Sequence, residues 1–155
     1  MAADVTTDEG TATLATELPE VDVLVNNLGI FGAQEALTIT DDDWRRYFEV
    51  NVLTAARLIR TYLPGMRDRG WGRIQNIASD SAVVIPAEMI HYGVSKTALL
   101  ALSRGFAKEA AGSGVRDPLS SRLNSMKTLF QNSRYRSPSP PMTSSGPVPA
   151  SGPRS

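Results

Sequence analysis

One stretch narrows the choice of fold more than any other. Val21-Asp-Val-Leu-Val25-Asn26 is nearly continuous in apolar residues, most of them β-branched. A strand with one wet face alternates apolar and polar residues; a run without that alternation reads as a strand buried on both faces of a parallel sheet. It stops at Asn26-Asn27-Leu28-Gly29, a turn-prone cluster. Parallel strands must be joined by crossovers, so the flanking sequence should supply helices. Upstream, Thr6-Thr-Asp-Glu9 reads as a capping box for a helix from about Thr7 to Leu18, stopped by Pro19. Downstream, Thr40-Asp-Asp-Asp43 caps a long helix that should run to about Leu63 and end at Pro64-Gly65. Its apolar stripe is Trp44, Phe48, Val52, Ala55, Ile59, Tyr62 and Leu63, with Asn51 inside it. The turn Arg69-Gly-Trp-Gly72 leads to a second strand, Arg73 to Ala78, made less clean by Gln75 and Asn76. A last helix, from about Ala87 to Ala111, carries apolar residues almost all round (Val94, Leu99, Leu100, Leu102, Phe106) and should be buried on more than one side.

The pattern is β-α-β-α with a right-handed crossover. The expected fold is α/β, a partial Rossmann-like, doubly wound parallel sheet. Asn26–Gly29 and Ser79 then fall at the carboxyl ends of parallel strands, where open α/β sheets bind ligands.

Composition removes whole classes of function. The chain has no cysteine, which excludes disulfides, thiol catalysis and thiolate-bound zinc. A single histidine, His91, cannot build a metal cluster. Asp41, Asp42 and Asp43 read as helix-capping charge rather than a metal site. Formal net charge is zero, which argues against a general nucleic-acid or membrane-surface role. No signal peptide and no apolar span of about 20 residues is visible, so the expected compartment is the cytoplasm.

Charge and composition nonetheless divide the chain. Residues 1–112 hold 15 acids against 10 bases, whereas 113–155 hold one acid, Asp117, against six bases. From Pro118 onward there are seven prolines and ten serines in 38 residues, too little apolar surface to order a core. Residues 1–115 are therefore expected to form one domain and 116–155 a disordered Pro/Ser/Arg-rich tail. A frameshifted or misjoined reading frame after residue 115 would produce such a tail.

The chemistry-bearing residues gather in Ser79–Lys96. Tyr92-Gly-Val-Ser-Lys96 puts a phenol and an ammonium one helical turn apart. A cation beside a phenol favours the phenolate, making the tyrosine a proton donor or acceptor nearer neutral pH. Ser79, thirteen residues earlier, could hold a substrate oxygen while Tyr92 moves the proton. Asn51, a polar amide on an apolar stripe, must find a partner; it reads equally as a satisfied core asparagine or a site residue. His91 points about 100° away from Tyr92 around the helix and reads as a surface or rim residue. Ser81 is a second hydroxyl near the site, less well spaced than Ser79. Trp44 and Trp71 read as core and turn packing.

Leu24-Val-Asn-Asn-Leu-Gly29, Asn51, Ser79 and Tyr92-x-x-x-Lys96 together resemble the short-chain dehydrogenase/reductase family, in register from about Ala3 to Val115. The resemblance implies an NAD(P)-dependent oxidoreductase interconverting an alcohol and a ketone or aldehyde. In that reading Tyr92 is the general acid/base, and Lys96 lowers its pKa and binds the nicotinamide ribose. Ser79 orients the substrate carbonyl, and Asn51 bends its helix and holds a water through its backbone. Asn26 and Gly29 line the cofactor, and Asp4-Val5 contacts its adenine. NAD and NADP are left open, as is the small-molecule substrate; the family's members are homo-oligomers pairing through the helices Asp41–Leu63 and Ala87–Ala111. Leu28 stands where the family usually has alanine. The Gly-rich turn that cradles pyrophosphate is absent, because the match begins near the end of the family's third strand. The strand at Val21 then lacks its inner neighbour and presents an apolar edge. The alternative expectation is a non-catalytic fragment that cannot hold a cofactor and acts, if at all, by helix pairing.

Overall fold

The computed structural model describes residues 3–116. Of the tail expected over 116–155, residues 117–155 lie outside the described residues. Four helices and three strands follow in the order α1 (Asp8–Glu17), β1 (Val23–Asn26), α2 (Asp41–Phe48), α3 (Thr54–Asp68), β2 (Gly72–Asn76), α4 (Ile90–Glu109) and β3 (Val115–Arg116). The strands form a parallel sheet in the order β1-β2-β3, with Val23 opposite Arg73 and Asn26 opposite Asn76. This is the expected Rossmann-like α/β arrangement, preceded by α1, the helix expected from about Thr7 to Leu18, and extended by β3, which was not expected. Strand β3 carries the sheet one residue past the boundary expected at 115.

Alternation along β2 separates the two faces. Gly72, Ile74 and Asn76 are buried, while Arg73 and Gln75 are only half-buried. The buried face meets α3 and α4: Leu58, Ile59, Tyr62, Leu63 and Met66 close on Ile74, Ala110 and Val115, with Leu24 and Phe106 packed against them. Burial of that stripe is what holds the short strands together, since a four-residue strand alone is marginal.

Several expected boundaries move. The first cap sits one residue later than the expected Thr6–Glu9 box: Thr7 Oγ1 accepts from Gly10 N. Thr6 is taken instead by Asp4, whose carboxylate accepts from its amide and its hydroxyl. At Thr40 the box is complete, with Thr40 and Asp43 each serving the other's backbone amide. The expected stop at Pro64-Gly65 is wrong, because α3 passes through both to Asp68. Proline removes one amide but cannot outweigh the burial of Met66, which is fully enclosed in the core. The helix instead ends at Gly70, whose φ of 69° is a left-handed conformation glycine adopts freely. Trp71 N donates to Met66 O at 3.1 Å and Gly70 N to Arg67 O at 3.0 Å, the paired bonds of a Schellman cap.

The last helix begins at Ile90, after a short 3-10 turn at Ala87–Met89. It is not buried all round: Thr97, Ala101, Arg104 and Gly105 face water. Its buried face is mostly polar, comprising His91, Ser95, Lys96 and Ser103 beside Leu99 and Leu100. That polar stripe at helical spacing builds the site.

Candidate active site

The site begins with a break in helical geometry. Between α2 and α3, Glu49–Leu53 form a π-helical turn with Asn51 at its centre. Such turns widen the helix by one residue and occur often at functional sites. Asn51 is 1% exposed. Its Oδ1 accepts from Ile30 N at 2.8 Å, and its Nδ2 donates to Ile30 O at 3.0 Å and Ser95 Oγ at 2.9 Å. Ser95 Oγ donates in turn to Tyr92 O at 2.7 Å. One amide thus ties the loop after β1 to the turn of α4 that bears Tyr92. Asn51 is a satisfied core asparagine, and its bonds run to Ile30 and Ser95.

Lys96 completes that cluster. Its side chain is enclosed, its Nζ donates to Ile77 O at 3.0 Å, and the ammonium lies 5.9 Å from the centroid of the Tyr92 ring. Burial holds its pKa below the ordinary lysine value of 10.5. Gly29 closes the other side. A Cβ there would stand 3.2 Å from Lys96 Nζ and 3.5 Å from Asn51 Oδ1, so only a bare backbone gives the ammonium its present room. Tyr92 is half-buried, and Phe31 tilts against its ring at 6.2 Å between centroids. Asn51, Gly29, Tyr92 and Lys96, separated by up to 67 positions in sequence, meet here.

Ser79 is placed differently. It caps the 3-10 turn Asp80–Ala82, accepting from Ser81 N at 3.2 Å and donating to Asp80 Oδ1 at 3.0 Å. No hydrogen bond joins its hydroxyl to Tyr92 among the described residues. The loop that carries it is nevertheless seated on α4. Thr97 Oγ1 donates to Ala82 O at 2.8 Å, and Gly93 lets the loop approach so closely that a Cβ would fall 2.8 Å from Ser81 O.

Asn26 belongs to a second buried network. Its Nδ2 donates to Asn76 Oδ1 at 2.7 Å, and Asn76 Nδ2 donates to Ser103 Oγ at 2.8 Å. Asn26 Oδ1 is buried and has no partner. Asp4 and Val5 serve the start of α1: Asp4 O accepts from Thr7 N, Val5 O from Thr11 Oγ1. The Asp4 carboxyl is held below the ordinary carboxylate range by the Thr6 hydroxyl and amide.

Sequence reasoning passed over three participants. Ser95 sits three residues after Tyr92, the interval at which a helical serine can reach back to a carbonyl. Asn76 was visible only as an impurity in a strand, and Ser103 not at all. His91 was misplaced. It is 1% exposed, its ring tilted against that of Tyr47 with centroids 4.0 Å apart and edge-on to Trp44. The face it occupies looked solvent-directed because α2, which covers it, lies more than forty positions upstream. Trp44 is half-buried in that contact, and Trp71 is largely exposed beneath the Arg73 guanidinium at 4.7 Å.

Comparison with known proteins gives the family. The family model described as short chain dehydrogenase matches residues 1–117. The chain belongs to the short-chain dehydrogenase family. It is 46% identical over 114 residues to the "uncharacterized oxidoreductase YvaG" of Bacillus subtilis, a match covering 74% of this chain and 43% of that protein. It is 33% identical over 99 residues to rat "dehydrogenase/reductase SDR family member 4", covering 62% and 35%. A short-chain dehydrogenase structure from Streptomyces avermitilis superposes with a TM-score of 0.69 at 36% identity, over 76% of this chain and 45% of that one. A 4-hydroxyisoleucine dehydrogenase, described as complexed with NADH and succinate, superposes at 0.70 with 28% identity, covering 75% and 57%. The chain thus spans less than half the length of the curated relatives it matches. Among the described residues no helix is long and apolar enough to cross a membrane.

Proposed function

We propose that this short-chain dehydrogenase chain carries the proton-transfer centre of an NAD(P)-dependent oxidoreductase that interconverts a small alcohol and a ketone or aldehyde. The observation that carries the reading is the buried Lys96 ammonium seated over the Tyr92 ring. A cation so placed, shielded from water, stabilises negative charge that develops beside it. In reduction Tyr92 gives its phenolic proton to the carbonyl oxygen; in oxidation it takes the proton of the hydroxyl. Ser79 holds that oxygen once its hydroxyl turns from Asp80. Asn51, its side chain fully engaged, would contribute through its backbone by holding a water.

The residues present fit the nicotinamide-ribose end of such a cofactor. An ammonium has three hydrogens, and one bond from Lys96 Nζ is accounted for, to Ile77 O. Asn26 Oδ1 is an acceptor with no donor. When bound, the nicotinamide supplies or takes up the hydride. Lys96, Asn26 and the Gly29 backbone would hold it, and Asp4 and Val5 would face its adenine. That a structural relative is described with NADH supports this assignment without choosing between NAD and NADP.

One observation favours a second reading, a non-catalytic helix-pairing fragment: none of the 12 glycines makes the Gly-rich turn expected to cradle pyrophosphate. Titration of the purified chain with NADH and NADPH, followed by cofactor fluorescence, decides between them. Binding with a submillimolar Kd that Lys96→Met abolishes supports the oxidoreductase reading. No binding at millimolar cofactor supports the second.

A further inference from the structure

Arg45 and Arg46 are neighbours on α2 with opposite surroundings. Arg45 is held by Asp41 at 3.6 Å and by Asp42 at 2.8 Å. Arg46 has no ion pair among the described residues. Asp43, the carboxylate one helical turn before it, is already engaged by the Thr40 amide and hydroxyl and by Gln34 Nε2. The Arg46 side chain instead borders a cavity of about 370 Å³, lined also by Tyr47, Gly29, Ile30 and Phe31. Tyr47 is 9% exposed, yet no hydrogen bond holds its hydroxyl among the described residues. That hydroxyl stands 3.3 Å from where a Cβ on Gly32 would lie, so the bare backbone of Gly32 gives it room. Burial raises the Tyr47 pKa from 10.0, so at neutral pH the phenol keeps its proton and is a donor. The facing wall is apolar: Ile30 and the Phe31 ring, which is 75% exposed and tilted against Tyr92. Gly29 meanwhile lies against Lys96, so the cavity and the candidate active site share one loop.

We propose that this cavity binds the carboxylate of a small organic acid: Arg46 pairs with the anion, Tyr47 donates a hydrogen bond to it, and the ligand's carbon chain lies against Phe31. Each part of that ligand answers one feature of the walls. A guanidinium presents a fork of donors that matches a carboxylate. A protonated phenol without a partner supplies a further donor. An exposed aromatic ring gains by covering itself with apolar carbon. The volume falls at the lower end of the roughly 300–1,000 Å³ usual for small-molecule sites, which suits a short chain. The ligand's role as substrate rests on the oxidoreductase reading: the ketone or alcohol then carries its carboxylate at the Arg46 end and its reacting oxygen towards Tyr92. Binding of the carboxylate itself needs no cofactor.

The test titrates the whole chain, without cofactor, with the keto acid levulinate and with its neutral counterpart methyl propyl ketone, followed by amide NMR. The expected result is saturable levulinate binding that shifts the amides of Gly29, Ile30, Phe31, Arg46 and Tyr47, about tenfold or more tighter than binding of the ketone. That comparison needs no variant. Arg46→Gln should weaken levulinate binding by about tenfold, and Tyr47→Phe, which keeps the ring against His91, by about threefold. Arg45→Gln, at a side chain already paired with Asp41 and Asp42, should leave it unchanged. Circular dichroism checks that the variants stay folded. Equal affinity for the ketone or indifference to Arg46→Gln would each overturn the proposal. So would inorganic phosphate binding as tightly as levulinate, the mark of an adventitious anion only. A parallel titration with NADH reads the two ideas apart. Levulinate binding without NADH binding upholds the site and removes only the substrate role, whereas NADH binding without levulinate binding overturns the site and leaves the oxidoreductase reading.

Discussion

Lys96 ties the stability of the fold to the proposed chemistry. Burial lowers its pKa from 10.5, so in the alkaline range just below that value the unfolded chain binds more protons than the folded one. Stability from this group is therefore lowest below the folded pKa and rises as pH climbs towards 10.5. Lys96→Met removes the group, so the Tm difference between the two proteins should move in the wild type's favour as pH rises through that window. Burial raises the pKa of Tyr47 and Tyr62, which costs both proteins stability above pH 10.0 and cancels in the comparison. A pH-independent difference in thermal melts would contradict the assignment. Asn51 is the second residue with a large predicted effect. Asn51→Ala leaves the Ile30 backbone and Ser95 Oγ without their partner and should cost about 2 kcal/mol. Urea denaturation reads it as a lower midpoint at unchanged slope.

At the scale of elements, the helix termini carry the clearest expectations. Thr40→Ala removes one half of the capping box and should cost about 1 kcal/mol. Gly70→Ala forces a side chain into a left-handed turn with open space around it, so the penalty is backbone strain alone, about 1 kcal/mol. Both are measurable by chemical denaturation, and a neutral Gly70→Ala would show that α3 ends elsewhere. These termini differ in how legible they were. Thr40-Asp-Asp-Asp43 could be read directly, because a capping box is a contact among neighbours in sequence. The end of α3 could not, because the force that carries the helix through Pro64 is the burial of Met66 against Gly72 and the sheet. The same holds for the mostly polar face of α4. Its residues are unremarkable by periodicity until Asn51 and Asn76 are brought opposite them from other elements.

For the molecule as a whole, stability rests on one core on one face of a small sheet. Ile59 is fully enclosed there. Ile59→Ala should cost about 3 kcal/mol through lost burial and the cavity left behind, a large part of the 5–15 kcal/mol typical of a domain. The variant is expected to melt far below wild type or to lack a cooperative transition in calorimetry.

The β-α-β-α order, the parallel sheet and the family followed from sequence, because they rest on local patterns: an unalternating apolar run, capping residues, and a tyrosine and lysine one turn apart. What the fold alone decided are long-range matters. Asn26 turns to Asn76, and His91 disappears under α2. Each outcome depends on which distant element removes water from a side chain, and no spacing along one strand or helix encodes that.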